Sequence, residues 1–161
     1  MIVQISPSVA PEFKPLIVEN SWQAHIMKKE KLSRYYVLND NGLFKISILI
    51  NNIPVLAIID TGSTHCSISN DFINGYNLIE TNKTNTVTPV GGLTSQNAYI
   101  GNIQFDKDSF IFKNEIIISY PMVNSDFKFI IGNSLLSKCE YIFDKNYNKI
   151  ILNIVETSNE I

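Results

Sequence analysis

The stretch from Gly42 to Thr64 leaves the chain little freedom in choosing a fold. Phe44, Ile46, Ile48 and Ile50 alternate with Lys45, Ser47, Leu49 and Asn51, the two-residue period of a half-buried strand. Asn51-Asn52 follows, and asparagine tolerates the positive φ of a tight turn. Pro54 starts the return strand, and Val55 to Ile59 form an apolar run that ends abruptly in Asp60-Thr61-Gly62-Ser63-Thr64. An acid at the end of a buried strand is costly unless it is hydrogen-bonded, paired or used. Such a break in the pattern is where function tends to sit, so Asp60 is the first candidate site residue.

The rest of the composition narrows the class. With 161 residues, 45% of them hydrophobic and 17% charged, the chain can bury one real core. Fifteen acids against thirteen bases give a net charge of −2, so no general field draws it to nucleic acid or to an acidic membrane surface. Cys66 and Cys139 lack the spacing of a zinc site or a redox pair, and no charged-then-apolar leader opens the sequence. An intracellular setting is therefore expected, in which the sequon Asn82-Lys83-Thr84 has no role. The longest apolar runs fall far short of the ~20 residues that span a bilayer. Neither a metal nor another cofactor is expected.

Taken in order, residues 1–40 read as an N-terminal arm. Pro7, Pro11 and Pro15 fix φ and remove donors, which suits an extended linker better than a sheet. A helix over 21–38, capped near Ser21 with Trp22, Ile26 and Met27 on one side, is expected next, with Lys28-Lys29-Glu30-Lys31 as its solvated face. Residues 41–155 form the main domain, and 156–161 a tail. Beyond the Asp60 loop a short strand over Cys66 to Ser69 is expected, then a helical turn from Asn70 to Gly75. Strands at 86–90 and 95–100 make a hairpin with a Gly91-Gly92 tip, polar enough to be mobile. Further strands are placed at 102–105, 109–113, 115–119 and 127–131. A short helix over Asn133 to Leu136 and strands at 141–143 and 149–154 close the domain. No second Asp-Thr-Gly or Asp-Ser-Gly occurs.

In this order, an apolar strand into Asp-Thr-Gly-Ser, a glycine-tipped hairpin some thirty residues on, and Phe129-Ile130-Ile131-Gly132 before a short helix, the chain resembles the retropepsins. These are the aspartic proteases of retroviruses, LTR retrotransposons and plant pararetroviruses. The resemblance covers roughly Gly42 to Leu152, and Cys66 together with Ile130 to Asn133 looks most like the pararetroviral branch. It implies an all-β fold: a small closed β-barrel with one or two short helices, one lobe per chain. It also implies Asp60 as the catalytic acid, with Thr61 bracing the partner's loop, the Gly62 amide approaching the carboxylates, and Ser63 bonding a carboxylate oxygen from outside. Val90, Gly91, Gly92 and Leu93 would belong to a flap, and with Thr64, His65, Phe129 and Ile130 would line the substrate cleft. Retroviral members commonly carry an Asp where Thr64 stands and an Arg where Asn133 stands; both are missing here, so the brace those two make is absent as a unit.

Peptide hydrolysis by this route needs two carboxylates sharing one proton, one acting as base on water while the other donates to the carbonyl oxygen. One chain supplies only Asp60, so a symmetric homodimer is expected, each loop meeting its own copy at the twofold axis. Proton sharing places greatest activity at mildly acidic pH, about 4 to 6. Substrate would bind extended by strand addition, under a closing flap. The precursor polyprotein that holds the enzyme would be its own substrate, in the host cytoplasm or a virus-like particle.

Three other assignments compete. Asp60 could be an ordinary strand-end turn residue, and Gly91-Gly92 a tight turn without a gating role. A thiol protease would need Cys66 and a histidine, but adjacent strand residues point to opposite faces, so His65 cannot readily serve Cys66. His65 fits a cleft wall or an exposed position better, and both cysteines fit small buried apolar residues. Finally, the same domain could be a catalytically silent dimerisation or peptide-binding module, whose mark would be a lost Asp, Thr or Gly; all three are present.

Overall fold

A computed structural model describes residues 4–5, 12–17, 27–87 and 93–160. The alternating stretch is β4 (Leu43–Ile50) and its return is β5 (Ile53–Ile59), paired antiparallel from Lys45↔Ile58 to Ile50↔Ile53. Asn51 and Asn52 make the turn with φ of 47° and 69°, as asparagine allows. Ile46, Ile48 and Ile50 are buried, and so are Val55, Ala57 and Ile59 on the facing strand.

Four further strands complete a ring: β6 (Cys66–Ser69), β8 (Leu93–Gln104), β9 (Phe112–Tyr120) and β10 (Phe129–Ile131). The order β4-β5-β10-β6-β9-β8 closes on itself through β8 against β4, with Leu49↔Gln104 and Ile50↔Ile103 in register. This six-strand closed barrel removes the free edges that an open sheet of this size would present. β7 (Ile79–Val87) lies outside the ring on β8, and the polar hairpin these two make pairs Val87 with Leu93. The expected strands at 109–113 and 115–119 are one strand from Phe112, carried past Asn114 at φ 57°. The helical turn falls at Asn70–Gly75 and the short helix, α1, at Asn133–Leu136, both where the sequence places them.

The ends of the chain differ from expectation. Residues 27–40 are not helical: they form β3 (Met27–Asp40), in which Ser33, Tyr35 and Val37 are buried while Arg34 is exposed. That period-two burial is dictated by pairing with β12 (Lys149–Glu160), continuous from Lys149↔Leu38 to Glu160↔Met27. The tail at 156–160 is thus strand as well, while residues 21–26 of the expected helix lie outside the described residues. The arm is extended but paired: β1 (Gln4–Ile5) and β2 (Glu12–Ile17) bond to β3. Pro15 is tolerated because β2 is an edge strand, where a missing donor can face away from the ladder. β11 (Glu140–Asp144) forms the opposite edge, on β12.

Candidate active site

β5 delivers Asp60, and the crossing of three strands fixes where it goes. β10 is inserted parallel to β5, with Phe129↔Ala57, Ile130↔Ile58 and Ile131↔Ile59, and antiparallel to β6. The Asp60 amide continues that ladder by donating to the Ile131 carbonyl at 3.0 Å. Thereafter the backbone turns, with the Ser63 amide donating to the Asp60 carbonyl at 3.2 Å.

The carboxylate is held by the loop it opens. The Gly62 amide donates to Oδ1 at 2.9 Å and the Ser63 hydroxyl donates to Oδ2 at 2.8 Å. Hydrogen bonds to an ionised acceptor are the stronger kind, and two of them fix the plane of the group. Asp60 is half-buried; Thr61 and Gly62 are exposed at the tip.

A second layer holds the loop. The Asn133 amide donates to the Ser63 carbonyl at 2.7 Å and the Ser134 amide to the Thr64 carbonyl at 2.9 Å, so the first turn of α1 grips the loop from behind. The Asn133 side-chain Nδ2 donates to the Thr61 carbonyl at 2.9 Å. Gly132 permits this approach: a Cβ there would lie 2.7 Å from the His65 carbonyl carbon and 2.8 Å from the Ser63 carbonyl oxygen, and nearer still to the His65 oxygen. Its φ of −100° is ordinary, so the requirement is for space. Sequence reasoning noted Asn133 only as a departure from the family pattern. Its side chain here bonds the Thr61 carbonyl, and its position directly after Ile-Ile-Gly was the available signal.

The cleft residues divide. Ile130 is half-buried beside Ile58 in the ladder and His65 half-buried at the loop's end, while Thr64 is exposed. Phe129 cannot line a cleft: it is 0% exposed and belongs to the barrel core, because alternation along β10 sends Phe129 and Ile131 inward and Ile130 to the other face. Val90, Gly91 and Gly92 lie outside the described residues, and Leu93 opens β8. Close to the loop, Cys66 is fully buried and burial pushes its thiol up to about 11; burial likewise pushes Cys139 up to about 12. Neither is a thiolate at neutral pH, which removes the nucleophile a thiol protease would require. Among the described residues no group of three or more His, Cys, Asp or Glu side chains is placed to hold a metal.

Of three neighbouring ion pairs, those of Asp126 and Lys128 tie the segment before β10 to β4 and to the helical turn. Lys45 Nζ lies 2.8 Å from Asp126 and 3.5 Å from Asp40, and Lys128 Nζ lies 3.6 Å from Asp71. The hydrogen bond to Asp126 holds the Lys45 ammonium above its ordinary range, and the same bond holds the Asp126 carboxyl below its own. No helix among the described residues is long and apolar enough to cross a membrane.

Solved structures resemble the chain to different degrees, and the first of them shares its architecture. A retropepsin-like aspartic protease from Rickettsia conorii superposes with a TM-score of 0.59 at 19% identity, over 80% of this chain and 96% of that one. The EIAV protease complexed with the inhibitor HBY-793 gives 0.47 at 20% identity, over 62% and 89%. The retroviral protease-like domain of Ddi1 from Leishmania major gives 0.45 at 15% identity, over 67% and 86%. No curated protein sequence matches the chain significantly. The family model for retroviral aspartyl protease matches residues 27–158 without singling out a branch, and the chain belongs to that family.

Proposed function

We propose that the chain is an aspartic endopeptidase that works as a homodimer, with the two Asp60 carboxylates meeting at the twofold axis. The observation that carries this is the carboxylate bonded through both oxygens to Gly62 and Ser63 on a loop whose tip is exposed. A group held in that way is oriented for work and open to a second copy. In the dyad one carboxylate is ionised and the other protonated. The ionised one takes a proton from water as its oxygen attacks the scissile carbonyl carbon, and the protonated one gives its proton to the carbonyl oxygen. Collapse of the tetrahedral intermediate breaks the C–N bond as the carboxyl that took water's proton passes it to the leaving amine nitrogen and the other carboxylate recovers its proton from the gem-diol hydroxyl. Because water is the nucleophile, no covalent enzyme intermediate forms.

Substrate is an extended polypeptide, with the partly or fully exposed Ile130, His65 and Thr64 as the described residues to contact its side chains. We assign it to segments of the precursor polyprotein in which the domain is made, cleaved inside the cell.

The test is cleavage of a purified precursor at mildly acidic pH and high protein concentration. Wild type is expected to cut and Asp60→Asn to leave the precursor intact. Equal absence of cleavage by both would leave a silent binding module. Sedimentation showing monomer at concentrations where cleavage is fast would overturn the dimer.

A further inference from the structure

One peptide group in the loop is bonded at both ends. The carbonyl of Thr61 accepts from Asn133 Nδ2 at 2.9 Å, and the amide of the same peptide unit, the Gly62 N–H, donates to Asp60 Oδ1 at 2.9 Å. From the geometry we infer that Asn133 is a positioning residue that acts on the Asp60 carboxylate through the Thr61–Gly62 peptide. The inference rests on the aspartic protease reading of the site and deepens it.

The physical argument is short. A peptide unit is planar and conjugated, so withdrawing charge at its oxygen makes its N–H a better donor. Hydrogen bonds in a chain strengthen one another in this way by some 10–30% per bond. The amide of Gly62 is therefore aimed and polarised by a side chain that never touches the carboxylate. The other two bonds from α1 to the loop come from backbone amides and persist in any variant at position 133 except proline. The Asn133 side chain is thus separable from the rest of the grip. It is also the bond that reaches the exposed tip, where Thr61 and Gly62 have solvent on one side.

Other charges near the loop do not replace it. The titratable and charged groups on the loop and the elements bonded to it are His65 on the loop itself, buried Cys66 on β6, and Lys138 and Cys139 after α1; Asp71 and Lys128 lie at the ends of β6 and β10 away from Asp60. Lys128 pairs with Asp71 and Lys138 with Glu115.

Removing the donor weakens the Gly62 bond to the ionised form, so protonation of the dyad becomes easier and the acid limb of the kcat/KM profile moves to higher pH. For Asn133→Ala the expected shift is roughly 0.2–0.5 pH unit. The kcat loss is on the order of 10-fold or more, with KM little changed. Asn133→Asp sets a carboxylate oxygen against the Thr61 carbonyl and should shift the limb further. Asn133→Gln keeps an amide donor and should restore the limb towards wild type. In parallel, the Gly62 amide proton is followed by NMR in the same proteins, and should move upfield in Asn133→Ala and Asn133→Asp, a readout that needs no catalysis. Unchanged Gly62 shift and unchanged acid limb in folded Asn133→Ala and Asn133→Asp would overturn the inference. An inert wild type with the Gly62 shift moving as expected would instead overturn the protease reading and leave the hydrogen-bond relay standing.

Discussion

Gly132→Ala tests whether the loop carrying Asp60 is held by close backbone contact. The added methyl would meet backbone atoms only, the His65 carbonyl and the Ser63 carbonyl oxygen at 2.8 Å, and no flexible side chain is there to give way. Ordinary contact begins near 3.4 Å, so the loop must retreat from α1 by roughly 1 Å. That movement stretches the Asn133 amide to Ser63 bond from 2.7 Å and the Ser134 amide to Thr64 bond from 2.9 Å to beyond hydrogen-bonding range. Two lost bonds at about 0.5–1.5 kcal/mol each, together with overpacking of about 1–3 kcal/mol, overlap to a destabilisation of about 2–4 kcal/mol. The domain should stay folded at room temperature, given a typical stability of about 5–15 kcal/mol. Peptide cleavage, which depends on where the carboxylate sits, should fall by about 10²-fold. Gly75→Ala is the matched control, since a Cβ there meets nothing within 4 Å; it should change stability by no more than about 0.5 kcal/mol. Urea denaturation followed by circular dichroism, with kcat/KM on a peptide substrate, measures both. Stability and activity indistinguishable between the two alanine variants would refute the reasoning.

Adjacent positions on β10 should behave oppositely. Phe129→Ala opens a cavity in the core and should cost about 3–5 kcal/mol, whereas Ile130→Ala should leave the urea midpoint nearly unchanged and alter cleavage-site preference in a peptide library; the reverse pattern would mean the faces are misassigned. The Lys45–Asp126 pair should show in the pH dependence of stability. Because the bond from Lys45 lowers the Asp126 carboxyl in the folded state, its contribution is present above the ordinary carboxylate range and is lost as pH falls through the lowered value. Asp126→Asn should therefore be less stable than wild type at pH 7, and the gap should close in urea melts below the carboxylate range; a constant gap would exclude the ion pair as its cause.

What could be read in the sequence follows from how local its cause is. The β4–β5 hairpin was legible because its period and its Asn51-Asn52 turn lie within one short window. Asp60 was legible as an acid ending an apolar run. β3 was not, because Lys28-Lys29-Glu30-Lys31 suits a helix and the force that makes it a strand is a partner more than a hundred residues away, β12. Tertiary pairing overrode propensity there. Phe129 and Ile130 could not be told apart because an apolar run covered on both faces carries no alternation to say which side is the core. Asn133 was visible as a departure, but its use depends on a loop seventy-two residues away lying within 2.9 Å.

The placement of these bonds also bears on what a second copy would supply in the proposed dimer. Every contact described for the Asp60 carboxylate and its loop is made within one chain: to Gly62 and Ser63, from Asn133 and Ser134, and along the β5–β10 ladder. These bonds need only one folded chain, and if they set the loop before a partner arrives, the entropy of ordering it is met by folding of the barrel rather than by association. In the proposed dimer the partner would contribute a second carboxylate and the closure of the cleft, while loop geometry would be unchanged. Catalysis should then depend on concentration through encounter of two preformed halves, and dilution should abolish cleavage while the folded barrel, and the Gly62 amide signal that reports its loop, persist.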